Sequence, residues 1–157
     1  MNKFKILIGL ILLLSFHCFR HENIEVIEYW ENGEIKKTRL QFVENNSVLE
    51  TTFYINGNKE TEIVYFNGKL DGKNRYWNEY GVLISLAEYS NGKPNGVWLN
   101  YNDNGVLVHE ANYFHGEKHG YERWYHNNSQ LKSETLFEFG VQISEKIRWD
   151  ADGKIIY

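Results

Sequence analysis

A period of 24 residues constrains this chain more than any other feature. Three full copies follow one another, Tyr65 to Glu88, Tyr89 to Asn112 and Tyr113 to Leu136, and a further copy runs from Phe137 to Tyr157. A degenerate copy, Gln41 to Val64, precedes them, and Tyr29 to Leu40 matches the second half of another. Counted from the start of each copy, position 13 is Tyr29, Phe53, Trp77, Tyr101, Tyr125 and Trp149, always aromatic. Position 17 is Gly33, Gly57, Gly81, Gly105, Ser129 and Gly153. Position 4 is Gly68, Gly92, Gly116 and Gly140, and position 8 is Gly72, Gly96 and Gly120. Every glycine after residue 17 falls in one of these columns. Self-similarity at this spacing means one supersecondary unit stacked on copies of itself, each covering apolar surface of the next.

The unit is a β-hairpin. Tyr, Trp, Phe, Ile, Val and Thr fill the segments between Gly and Asn punctuation, and long helix-forming stretches are missing. Asn102-Asp103-Asn104-Gly105 reads as a type I turn closed by a left-handed glycine, a three-residue hairpin loop with a bulge. Asn67 to Gly72 and Asn91 to Gly96 read as the second, longer turn, which holds the chain's one proline, Pro94. A hairpin alone is marginal, so consecutive hairpins must pair side by side. The predicted fold class is all-β: an elongated, twisted antiparallel sheet of consecutive β-hairpin repeats, with about ten strands. If Tyr101 faces Leu107, simple alternation puts Leu99, Tyr101, Leu107, Ala111 and Tyr113 on one face, the expected core. Tyr76, Trp98 and Trp124 then fall on the opposite, mixed face, where exposed aromatics serve as anchors for a protein partner. The competing expectation is that these three pack across strands.

The pattern Tyr-x-Asn-Gly-Lys-x-x-Gly, carried by Tyr89, Asn91, Gly92, Lys93 and Gly96 and again by Tyr65, Asn67, Gly68, Lys69 and Gly72, leads into an aromatic strand and Asn-Gly-x-Leu. It resembles the MORN-repeat variant over about residues 41–157, with Glu44 and Val48 standing where glycine is expected. The resemblance implies a non-enzymatic scaffold for proteins or membranes. Bacterial proteins of this variant are also labelled YwqK-like antitoxins, which implies an alternative role: an immunity protein that neutralises a partner toxin by direct binding.

Lys3 and Lys5 precede an apolar run from Ile6 to Phe16, too short to span a bilayer but of the length and flanks of a secretory signal peptide. The expected organisation is a signal peptide at 1–17, a linker at 18–28 and the repeat domain at 29–157. Export to the cell envelope or periplasm follows from that reading. Cys18, directly after the run, is either the lipidated residue of a membrane-anchored lipoprotein or an incidental cysteine. Leu14 to Cys18 resembles a lipobox, with His17 where a small residue is expected. Without Lys3 and Lys5, 15 basic residues stand against 21 acidic ones, about −6, which argues against nucleic acid as a partner.

The sequence offers little catalytic chemistry. His115, His119 and His126 occupy positions held by Asn91, Asn95 and Asn102 in the preceding copy, so they read as turn residues and not as a metal site. His109 aligns with Ser85 and Ser133 and reads as a hydrogen-bonded structural histidine; a hydrolase using it with an acid is the competing view. Glu62, Glu110 and Glu134 form a column expected to be a solvated face, because a repeated column offers equal environments and acid–base catalysis needs unequal ones. No cofactor or metal is expected.

Overall fold

The computed structural model describes residues 23–42 and 44–156. The expected signal peptide and Cys18 lie outside these residues. The strands are β1 (Asn23–Tyr29), β2 (Ile35–Phe42), β3 (Ser47–Phe53), β4 (Lys59–Phe66), β5 (Lys69–Leu70), β6 (Gly72–Trp77) and β7 (Leu83–Ser90). They continue with β8 (Lys93–Tyr101), β9 (Leu107–Phe114), β10 (Glu117–Tyr125), β11 (Leu131–Glu138), β12 (Val141–Gln142), β13 (Ile147–Trp149) and β14 (Ile155–Ile156). All 14 belong to one open sheet in chain order, with β5 and β12 as short pieces beside β4 and β11. Every pairing is antiparallel, as expected for hairpins in series. β1 pairs with β2, so part of the segment read as linker belongs to the sheet.

Two turn types alternate. In the first, the Gly105 amide donates to the Asn102 carbonyl at 2.8 Å and the Asn102 amide to the Val106 carbonyl at 2.9 Å. The Asn102 side chain also accepts from the Asn104 and Val106 amides, both at 3.0 Å, which explains asparagine at that corner. The second turn is tighter than the sequence suggests. Ser90 pairs directly with Lys93, leaving Asn91-Gly92 as a two-residue loop with φ of 51° and 81°. Two successive left-handed residues make a type I′ turn, whose twist matches the flanking strands. Asn67, Asn91, His115 and Phe139 hold its first position, all at positive φ; for Phe139, at 45°, that is a strained backbone.

A register shift inside every full hairpin corrects the expected core. Tyr101 faces Leu107, but Asn100 faces His109, so Val108 is an extra residue on β9. The same shift follows Phe53, Trp77 and Tyr125. A bulge of one residue moves everything beyond it to the other face. Ala111 and Tyr113 therefore lie with Trp98, not with Leu99 and Tyr101.

On the Trp98 face, one transverse row reads Tyr76, Ser85, Asn100, His109, Trp124, Ser133, Arg148. Beside it runs Asn74, Ala87, Trp98, Ala111, Glu122, Thr135. Asn74, Ala87, Ala111, Ser133 and Thr135 are buried, and of the described residues only Thr51 is buried on the opposite face. The core is thus a band of small side chains roofed by large neighbours. The Tyr101 face carries the aromatic–aliphatic pairs Trp77–Leu83, Tyr101–Leu107 and Tyr125–Leu131 together with the glutamate column.

Gly96 illustrates the cost of the crossing between units. It has φ of 117°, and a Cβ there would come within 2.9 Å of the Glu88 Cβ. Gly68 has a comparable sign of φ but open space around it. Gly96→Ala is expected to lower unfolding stability by about 1–3 kcal/mol more than Gly68→Ala in urea titrations.

Candidate functional site

The three aromatics singled out in the sequence lie on one face but in different surroundings. Trp98 is wedged between Tyr89 and Tyr113, with ring centroids at 5.8 and 4.7 Å. Its indole nitrogen is buried with no hydrogen-bond partner, so the ring is committed to packing. Tyr76 is half-buried, and burial raises its hydroxyl above the ordinary tyrosine range. Trp124 is the open one, 41% exposed, with its ring tilted 38° against the His109 ring at 4.1 Å between centroids.

Behind Trp124 runs a hydrogen-bonded chain along the row. The Ser85 hydroxyl donates to Asn100 Oδ1 at 3.1 Å. Asn100 Nδ2 then donates to His109 Nδ1 at 3.1 Å, which leaves His109 Nε2 to donate to Glu122 at 3.1 Å. Lys118 Nζ closes the chain on Glu122 at 2.6 Å. Both His109 nitrogens are occupied and the neighbouring serine donates to asparagine, so His109 acts here as a fixed support under Trp124. Burial pushes the Glu122 carboxyl up, but hydrogen bonds from Lys118 and His109 outweigh it and hold the group below its ordinary range.

The glutamate column is paired on the opposite face. Arg123 bridges Glu110 at 2.9 Å and Glu134 at 2.6 Å, and Arg75 reaches Glu62 at 3.5 Å. Hydrogen bonds that Arg123 donates to both carboxylates hold it firmly charged. These carboxylates pair with arginines contributed by the adjacent strands, and Glu62 pairs with Lys59 as well.

Trp124 opens onto a cavity of about 470 Å³ whose walls include His126, Lys132, Ser133, Lys146, Arg148, Trp149, Asp150 and Ile156. The sequence reading named Trp124 but missed Lys132, Lys146 and Arg148 around it, because they come from two separate segments. Trp124, Ser133 and Arg148 are consecutive in one cross-strand row. His126, read from sequence as a turn residue, has a further role: its Nε2 donates to the Trp149 carbonyl at 3.0 Å and ties the last hairpin to the unit before it. Tyr54 and Trp30 make the same link one unit apart, to the carbonyls of Trp77 and Phe53. His115 lies in a type I′ turn and His119 packs against Phe139 at 4.9 Å. Among the described residues no cluster of His, Cys, Asp and Glu is arranged to hold a metal ion.

The family model of the MORN repeat variant matches residues 94–115 and 118–138. Each matched stretch is one hairpin, β8 with β9 and β10 with β11, so the type I′ turns fall between family units. No curated protein matches the chain.

The Glu122 network has a pH signature. A carboxyl whose folded pKa is lowered adds stability above its unfolded value, near 4.5, and loses it as pH falls through the lowered folded value. Glu122→Gln is therefore expected to flatten part of the stability loss below about pH 4.5 in thermal melts run across pH. A contribution from Glu50 remains, since burial raises that carboxyl but Lys37 and Arg39 outweigh it and hold it low.

Proposed function

We propose that the protein is a non-enzymatic scaffold of the bacterial cell envelope, exported through residues 1–17 and binding another protein along its sheet. MORN repeats commonly bind proteins or membranes. The observation that carries the reading is Trp124: a large ring left 41% exposed beside a cavity, while Trp98 on the same face is used for packing. Exposed aromatics next to a concave surface are the residues that dominate protein interfaces. The His109 support beneath the ring favours binding further, since a ring held in place loses little freedom when a partner covers it.

Cross-linked pull-down from the native envelope tests this. Wild-type protein is expected to capture a defined partner, and Trp124→Ala is expected to lose it while melting within a few degrees of wild type. Trp98→Ala is unsuitable for the same purpose because it removes packing between Tyr89 and Tyr113. Capture unchanged by Trp124→Ala contradicts the assigned surface.

A further inference from the structure

The cavity beside Trp124 differs from the rest of the sheet in how its charges are used. Most other cations along the strands are matched; Lys69 and Lys93, each directly after a type I′ turn, are singly placed exceptions without a carboxylate partner among the described residues. Lys37 and Arg39 both meet Glu50, Lys73 meets Glu88, Lys118 meets Glu122, and Arg123 joins Glu110 and Glu134. Lys132, Lys146 and Arg148 have no carboxylate partner among the described residues, although all three line the cavity. Asp150 is the one acid in its wall. This basic hollow belongs to a chain whose formal net charge is −4, so the excess is local.

Its shape follows from the cross-strand row. Ser133, only 5% exposed, sits between the much larger Trp124 and Arg148 and forms a floor. With strands about 4.8 Å apart, Trp124 and Arg148 stand roughly 10 Å from one another. The Ser133 hydroxyl has no hydrogen-bond partner among the described residues. Lys132 occupies the extra position of the β11 bulge, which aims it away from the regular alternation. One wall is thus an exposed aromatic ring, Trp149, Ala151 and Ile156 add apolar surface, and the unmatched charges of Lys132, Lys146 and Arg148 stand around it.

We infer that this cleft takes an acidic peptide segment of a protein partner, one that carries an aromatic or large apolar side chain to cover Trp124 while its carboxylates meet Lys146, Arg148 and Lys132. The inference rests on the scaffold reading above and names the chemistry of the partner. Charge complementarity selects carboxylates. The ring selects an apolar group beside them, and the separation of ring from cations fits several residues of chain and not a single compact anion. Such pairings set specificity and association rate, and they weaken with salt.

The test is a fluorescence anisotropy titration of the full-length protein with a short labelled acidic peptide carrying one central Phe. The control is the same peptide with Gln and Asn replacing Glu and Asp. The acidic peptide is expected to bind and the neutral one to bind at least about tenfold more weakly, with the difference shrinking as salt rises past about 0.1 M. The double variant Lys146→Glu with Arg148→Glu, and separately Trp124→Ala, are each expected to weaken the acidic peptide roughly tenfold. Lys69→Glu, on β5 and remote in sequence from the cleft, is expected to leave binding unchanged, and circular dichroism checks that all variants fold.

No binding, equal binding of the neutral peptide, or binding indifferent to charge reversal overturns the inference. Inorganic phosphate displacing the peptide at comparable concentration reassigns the cleft to a small anion. Co-sedimentation with phosphatidylglycerol vesicles that is lost in the charge-reversed variant reassigns it to a membrane surface. Either result overturns the peptide reading. Envelope capture that persists in the charge-reversed variant removes the cleft and leaves the scaffold standing; failure of wild type to capture anything removes the scaffold, and the peptide titration still reports on the cleft.

Discussion

The pairing of Asn100 with His109, one step out of simple alternation, decides what this molecule presents on each side. With Val108 extruded from the ladder, Trp98 lies opposite Ala111 and beside Tyr113. Glu110 falls on the other face, opposite Leu99 and Arg123. Without the bulge the faces beyond the loop would be exchanged, and Glu110 would enter the band of small buried side chains. Burying an unpaired carboxylate there costs far more than a bulge. The hydrophobic pattern and the bulge are therefore matched, and the match recurs after Phe53, Trp77 and Tyr125.

A sheet with no second layer has to find its core within itself. Here the core forms by height difference: Ala87 and Ala111 flank Trp98 in one row, and the ring contacts Tyr89 and Tyr113 from the neighbouring row. Links between units reinforce it. The amides of Gly92, Gly116 and Gly140 each donate at 2.8 Å to a carbonyl near the preceding type I′ turn, and side chains at position 14 reach the next unit's backbone. Stability in such an array is a sum of nearest-neighbour terms, which leaves large areas of both faces free of structural duty. Trp124 and its cavity occupy one such area.

The glycine columns made the hairpins, their order and the antiparallel sheet legible before any coordinates, because turn geometry is a local property of a few residues. The facial assignment was not legible. Nothing about Val108, or about Ile84 and Lys132 in the same column, marks it as an extruded residue, since a bulge is chosen by the cross-strand partners it brings together. The tight Asn-Gly loop was obscured for a similar reason: Gly96 looked like the end of a long turn, and it is the kink where β8 crosses to its partner. At the candidate site, Trp124 was legible as one of three aromatics on the mixed face. Lys132, Lys146 and Arg148 were invisible as a group, because only the pairing of β11 with β13 brings them to one wall.

The most direct check is the set of nuclear Overhauser contacts to the Ala111 methyl group in the folded protein. The bulged register places that methyl opposite Trp98, so strong cross-peaks to the Trp98 indole are expected, with Tyr113 ring protons contacting the same indole. Strong contacts from Ala111 to Val97 and Leu99 side chains, with none to Trp98, would mean unbroken alternation and would contradict the arrangement of both faces.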